Sequence, residues 1–380
     1  MKLLLTLPAL ALGLSLALPL ALVAQNRVAV LVPLPPASIP EGLGRDEQLF
    51  AQDRQALLQA INHSLTYLNS PKAARDYHNY PIASVTQARV KRSLLRFQTL
   101  VKQARSAQSL QSAVQREFVF YQASGHDQQG TVHFTGYFEP IYTASRRRTE
   151  QYRYPIYRRP PDLAQWPKPH PPRSVLEGAD GRGRQSPLKG QELLWFRDRL
   201  EAFLVQIQGS AKINLPDGRH ISLAFDGATD YPYTSIGKEM VKDGIFQPGE
   251  ITLPKLIDYL KANPAQLDRY LPRNQRLIFF RETAATVPAK GSLGVPVTAE
   301  RSIATDKTLM PPGALALLQA PIPNRQLQKT SVSRYVLDQD TGSAIQGPGR
   351  VDIFMGTGTL AGDRAGLMSD DGKLYYLLLR

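Results

Sequence analysis

Two aspartates stand twelve residues apart in a glycine-rich stretch near the C-terminus: Asp340 in Gln339-Asp340-Thr341-Gly342-Ser343, and Asp352 in Gly349-Arg350-Val351-Asp352-Ile353-Phe354-Met355-Gly356-Thr357-Gly358. A third candidate, Asp306, closes Arg301-Ser302-Ile303-Ala304-Thr305-Asp306. Carboxylates are what glycosidic-bond cleavage uses, one to protonate the leaving oxygen and a second as nucleophile or base. Val351, Ile353 and Phe354 surround Asp352, which predicts a short apolar strand carrying it. Aspartate beside glycine is also ordinary turn chemistry, so these residues alone leave a structural role open. Competing chemistries lack support. The chain has no Gly-x-Ser-x-Gly elbow, no Gly-x-x-x-x-Gly-Lys loop and no dinucleotide fingerprint after its first strand. Six histidines form no cluster at ligand spacing, and His63 stands alone in a predicted helix, so neither metal nor cofactor is expected. Carboxylates, glycines, aromatics and amides are what remain, the residue set of a carbohydrate groove.

Several elements must position these groups. Phe50, Leu57, Leu58, Ile61, Leu65 and Leu68 recur at helical spacing from Asp46 to a stop at Asn69-Ser70-Pro71. Val90, Leu94, Phe97 and Val101 predict a second helix, capped at Ser84, and a third spans Ala107 to about Phe118. The period then changes. Thr131 to Pro140 is β-branched and aromatic and predicts a strand, with Gly136 at a bulge or close approach. The proline- and arginine-rich stretch 146–172 reads as the entry to a second domain, and 173–190 as a flexible loop. Pro216-Asp217-Gly218 separates two strand-like runs, a hairpin signal. Helices follow from Thr252 and from Pro264, and Leu277-Ile278-Phe279-Phe280 is a short buried strand. Short strands at close spacing without helix alternation argue for a mainly β fold with accessory helices, and for a barrel over a doubly wound sheet.

At 380 residues two domains are the default. The absence of cysteine removes disulfides, thiol catalysis and a lipidation site. Lys2 followed by the apolar run Leu3–Ala24 has the pattern of a signal peptide, with cleavage after Ala24 favoured over retention as an anchor. Export is expected either way. The formal charge of +14 then points to an anionic envelope surface or wall polymer before nucleic acid.

The motifs also resemble, in order over about residues 130–380, the membrane-bound lytic murein transglycosylase A family and its three-aspartate tail module. The blocks are Thr135-Gly136-Tyr137-Phe138-Glu139-Pro140, Tyr154-Pro155-Ile156-Tyr157, Val205-Gln206-Ile207-Gln208-Gly209-Ser210, Tyr233-Thr234-Ser235-Ile236-Gly237, Arg301–Asp306 and the 339–358 stretch. The resemblance implies a double-psi β-barrel split between 25–142 and 286–380, a smaller inserted β domain over 143–285, and a glycan groove between them. It implies non-hydrolytic cleavage between N-acetylmuramic acid and N-acetylglucosamine, leaving a 1,6-anhydro ring. Asp352 would be the single acid and base, with Asp340 and Asp306 supporting it. Thr135, Gly136, Tyr137, Gln208, Gly209, Ser210, Tyr233, Gly356 and Gly358 would contact substrate, with residues 205–210 as a groove strand. Met355, Ala211 and Arg199 depart from the family pattern. The implied partner is a peptidoglycan strand met by a periplasmic, monomeric enzyme without nucleic acid, and complexes with wall-synthesis or division proteins stay open. A barrel that binds wall glycan without cutting it is the alternative.

Overall fold

The computed structural model describes residues 29–380; the apolar N-terminal run lies outside them. Strand β1 (Leu31–Pro33) pairs antiparallel with β2 (Phe118–Ala123), and four helices lie between them. These are α1 (Arg54–Leu68), α2 (Pro71–His78), α3 (Gln87–Gln103) and α4 (Ala107–Glu117). On α1 the buried positions Leu57, Ala60, Ile61, Ser64 and Leu68 repeat at three and four residues, the single stripe that a helix needs to lie on a core. A π-helical turn, Leu49–Asp53, precedes α1, and the Asp46 carboxylate accepts the Leu49 amide at 3.1 Å. Two local expectations change. Pro71 opens a further helix, because Ser70 caps it and proline is tolerated at a first helical position. The cap of α3 is Thr86, whose hydroxyl takes the Arg89 amide, and not Ser84.

The chain continues through β3 (Val132–Glu139) into β4 (Ile141–Ser145), β5 (Tyr154–Tyr157), α5 (Arg173–Glu177), β6 (Glu192–Phe196), α6 (Arg199–Gln208), β7 (Ser210–Asn214) and β8 (His220–Ala228). Helices α7 (Ile236–Lys242), α8 (Leu253–Ala262) and α9 (Ala265–Tyr270) lead to β9 (Ile278–Ala284). Strands β4, β6, β5, β9, β8 and β7 close into a barrel in that order. Ile156, Leu194, Phe196, Ile213, Leu223 and Phe280 fill it with apolar side chains. The 173–190 stretch is anchored where a flexible loop was expected. Arg173 is almost wholly buried, bonds the Asn274 carbonyl at 2.7 Å and pairs with Glu177 at 2.8 Å.

Residues 205–208 are the end of helix α6, a correction to the groove strand expected there. Asp198 caps the helix, and the buried Leu200, Phe203 and Leu204 give it a helical stripe. Gly209 stops it in the left-handed conformation at φ 76°, which glycine adopts without a Cβ penalty, and only then does β7 begin.

Strands β10 (Ser302–Ala304), β11 (Leu315–Pro323), β12 (Lys329–Asp340) and β13 (Arg350–Thr357), helix α10 (Thr359–Leu367) and β14 (Ser369–Leu379) complete the chain. A second closed ring runs β14-β11-β12-β10-β13-β3 and returns to β14, with β2 and β1 added beside it. The β10–β12 and β13–β3 pairs are parallel. Mainly β with accessory helices, and two six-strand barrels, is thus the architecture. Gly136 of β3 lies against α10, where a Cβ would stand 2.8 Å from the Ala365 Cα, so only glycine lets the helix seat there.

Candidate active site

Strand β13 alternates as an amphipathic strand should: Val351 and Ile353 are buried, while Arg350 and Asp352 share the other face. Asp352 is registered with Thr135 on β3 and with Ala304 on β10, which fixes its backbone on both sides. The Thr135 hydroxyl donates to Asp352 Oδ1 at 2.8 Å. That hydroxyl also accepts from Arg350 Nη2 at 2.9 Å. Because a hydroxyl has one proton, the arginine's bond leaves it directed at the aspartate. Asp352 Oδ2 has no protein partner among the described residues, and it is the oxygen available for chemistry.

Asp352 lies on the wall of a cleft, half-buried, with protein replacing most of the water around its carboxyl. Burial pushes its pKa up to about 6, the nearby Asp340 charge adds a little, and the Thr135 hydrogen bond and Arg350 charge oppose the rise. Desolvation is therefore the main cause, ahead of like-charge repulsion.

Asp340 is differently placed. It accepts Tyr137 Oη, the Ser292 amide and the Thr341 amide, each at 2.8 Å. Burial raises its pKa and these donors hold it back. With both oxygens occupied, Asp340 braces Tyr137, whose ring packs against Phe354 with centroids 5.2 Å apart. Asp306 takes the Thr308 hydroxyl at 2.6 Å and the Gly347 amide at 2.9 Å, and ties the β10–β11 connection to the loop before β13. Burial raises its pKa, but the hydrogen bonds from Thr308 and Gly347 outweigh that and leave it below the usual value.

The cleft has a volume of about 1090 Å³ and runs between the two barrels. One wall comes from β3, β13 and the 342–349 loop; the other comes from α6, Tyr233, α7 and the start of α8. Asp352 is the single carboxylate in its lining among the described residues. Thr135, Gly136, Tyr137, Gln208 and Tyr233 line it too. Tyr233 lies opposite the acid. Burial raises its phenol and the Asp352 charge adds to this, while the Ser235 hydroxyl and Arg350 oppose. Gln208 reaches across the junction, accepting the Phe138 amide at 3.1 Å.

Other expected contacts are brought elsewhere. Gly209 and Ser210 form the α6–β7 junction, and Gly356 and Gly358, at φ 108° and 90°, shape the turn from β13 into α10. None of the four is in the cleft lining. Met355 is buried in the core and offers no stacking face; Ala211 is buried in the insert barrel, and Arg199 bonds Asp268 and the Ala179 carbonyl. Arg350 and Lys238 are among the cleft residues that escaped the sequence reading. Period-two spacing from Asp352 was the signal available for Arg350.

Comparison with known proteins matches two family models: an MltA specific insert domain over residues 133–281, and a 3D domain over 301–378. The membrane-bound lytic murein transglycosylase A of Vibrio cholerae is 30% identical over 262 residues, covering 67% of this chain and 68% of the relative. The chain belongs to the membrane-bound lytic murein transglycosylase A family. The Escherichia coli K12 member is 29% identical over 262 residues, 68% of each chain. A membrane-bound lytic murein transglycosylase from Agrobacterium tumefaciens superposes with a TM-score of 0.71 at 26% identity, covering 92% of this chain and 98% of that one. The fold is also that of E. coli MltA with bound chitohexaose, at a TM-score of 0.72 and 23% identity over 93% and 95% of the two chains. The MltA-specific match runs from β3, in the barrel that carries Asp352, through β4–β8 and into β9, and the 3D match spans β10 to β14.

Proposed function

We infer that the chain is a peptidoglycan lytic transglycosylase that cleaves the β-1,4 bond between N-acetylmuramic acid and N-acetylglucosamine, with Asp352 as its one acid and base. The single observation that carries the mechanism is that Asp352 is the only carboxylate lining the cleft among the described residues. The common hydrolases use a second carboxylate to activate water or attack C1. Intramolecular attack needs none.

Asp352, protonated, gives its proton to the glycosidic oxygen as the C1–O bond breaks. The muramic C6 hydroxyl then bonds to C1, and its proton passes to the Asp352 carboxylate, which restores the acid. No water enters, and one group serves both steps. A pKa of about 6 suits this double use, since neither the acid nor the carboxylate form is rare near neutrality. Thr135 holds Oδ1 and leaves Oδ2 to the substrate. Tyr137 and Tyr233 border the sugar from opposite walls, and Gln208 links those walls.

In this reading 25–142 and 286–380 form the catalytic unit and 143–285 the insert, and Asp340 and Asp306 support the site without touching the reacting bond. The enzyme works on the wall outside the cytoplasmic membrane, a reading supported by the signal-like N-terminal sequence and compatible with relatives named membrane-bound murein enzymes. Among the described residues no helix is long and apolar enough to cross a membrane.

The test is mass spectrometry of purified sacculi digested with the chain and with Asp352→Asn. The anhydro product weighs one water less than the hydrolytic one. Binding without any product, in the unaltered chain, would instead support a glycan-binding barrel.

A further inference from the structure

The cleft is cationic, whereas a glycan backbone is neutral. Arg350 and Lys238 line it, and the only carboxylate there among the described residues is Asp352, an acid that works when protonated. Strands of N-acetylated sugars carry no charge in their rings. The anionic groups of murein hang from the C3 ether of each muramic acid, as stem-peptide carboxylates or, on a denuded strand, as the lactyl carboxylate.

Arg350 is an unusual arginine within this fold. The strongly buried arginines Arg173, Arg199, Arg301, Arg334 and Arg364 each pair with a carboxylate. Arg350 has no carboxylate within ion-pair distance among the described residues, and one hydrogen bond, from Nη2 to Thr135. Its Nε is buried without a partner, as in several other arginines of the fold, so the hydrogen bond to Thr135 is what orients the guanidinium. Nη1 is left without a protein partner. A guanidinium partly exposed on a cleft wall, with no carboxylate of its own, presents free N–H donors that suit an anionic ligand. Arg350 also lies two residues from Asp352 on the same strand face, about 7 Å along the strand. A substituent on the ring being cut falls within that reach.

Resting on the transglycosylase reading, we propose that Arg350 receives a carboxylate pendant from the C3 ether of the muramic acid at the cleavage site, so that the enzyme selects charged murein strands over uncharged glycan. Binding there also neutralises the cation that opposes protonation of Asp352. Engagement of the correct strand therefore favours the acid form.

The experiment measures binding calorimetrically in the Asp352→Asn background, with and without Arg350→Gln. Three probes are used: peptide-bearing murein oligosaccharide, the same strand stripped of peptide by an amidase, and uncharged chitohexaose. Arg350→Gln is expected to weaken the peptide-bearing strand at least tenfold and chitohexaose less than threefold. Arg350→Lys, which keeps the charge but not the fork, should recover part of the loss. A loss on both murein probes means that Arg350 takes whichever carboxylate the C3 ether carries; a loss on peptide-bearing strand alone assigns the stem carboxylate, and a loss confined to stripped strand assigns the lactyl carboxylate. Equal weakening of all three probes, or of none, overturns the proposal. If Arg350→Gln folds poorly, salt titration of the Asp352→Asn protein decides: steeper weakening for murein than for chitohexaose supports the anchor, and equal slopes reject it. Product analysis with the unaltered chain separates the two claims, since an anhydro product with unchanged Arg350 selectivity sinks this inference alone, whereas its absence sinks the reading beneath it.

Discussion

The two barrels have the same number of strands and opposite interiors. The insert barrel is filled with aliphatic and aromatic side chains, and its buried Arg173–Glu177 pair sits on α5, off the strands. The barrel that carries Asp352 is threaded with polar groups. Asp338 is wholly buried and accepts the Thr305 hydroxyl at 2.7 Å, the Tyr376 hydroxyl at 2.6 Å and the Lys307 ammonium. Lys307 also bonds the main-chain carbonyl of Asp340. Arg301 is equally buried and pairs with Asp46 at 2.5 Å, and Gln339 donates to the Ala60 carbonyl at 2.7 Å, so the barrel is tied to α1 and its leading turn. Apolar packing is tolerant of small shape changes, whereas a buried polar network has few satisfied arrangements. The contrast assigns the insert the task of supplying a wall, and the other barrel that of holding a carboxyl to a fraction of an ångström.

The largest expected effect is on chemistry. Asp352→Asn should reduce anhydro product release by more than about 1000-fold, since the side chain supplies both proton transfers. The same change should stabilise the protein at pH 8. A carboxyl whose folded pKa is raised from 3.8 to about 6 loses stability as pH climbs through that window, and asparagine escapes the loss. The gain should be at most about 3 kcal/mol and should shrink towards zero below pH 4, read from melts of both proteins across pH.

Next come the interiors. Asp46→Asn removes the charge opposite Arg301 and should cost about 3 kcal/mol or more in denaturant unfolding, because the arginine stays buried with only Asp53, at 3.2 Å, to compensate. Phe280→Leu in the insert barrel keeps an apolar side chain of similar size and should cost less than about 1.5 kcal/mol. Equal costs would erase the contrast between the two interiors.

Thr135→Val has a smaller and more specific effect. It removes a hydrogen bond that holds the Asp352 pKa down, so the pKa rises and the alkaline limb of kcat/KM moves to higher pH. A limb that stays in place would mean that another group sets it. Because the hydroxyl also orients the carboxyl, the rate at the optimum should fall several-fold.

How much of this was legible follows the same division. Asp352 announced itself through its apolar neighbours, and the stripes of α1 and α3 through local periodicity, since both signals lie within a few residues of chain. Arg350 did not, because its significance depends on Thr135, which is 215 residues away and meets it only across the parallel β3–β13 pair. Asp338 was invisible for the same reason: its partners Thr305 and Tyr376 come from β12's neighbours in space, not in sequence. The 205–210 segment was misread because a glutamine-rich apolar run suits either period, and the cap at Asp198 and stop at Gly209 decide for helix.

Gly209 gives the smallest effect and the finest distinction. If it contacts sugar, as the family resemblance implies, Gly209→Ala should raise KM for murein. Its place in the fold argues otherwise. It ends α6 at φ 76° with its amide on the Val205 carbonyl at 2.9 Å, it lies outside the cleft lining, and no atom stands within 4 Å of where a Cβ would be. Alanine there has room but the wrong conformation, a cost of about 1 kcal/mol. A slightly lower melting temperature with unchanged KM would make Gly209 a helix stop. A raised KM would instead mean that the insert's wall reaches further along the glycan than the cleft now shows, and that α6 takes part in binding beyond Gln208.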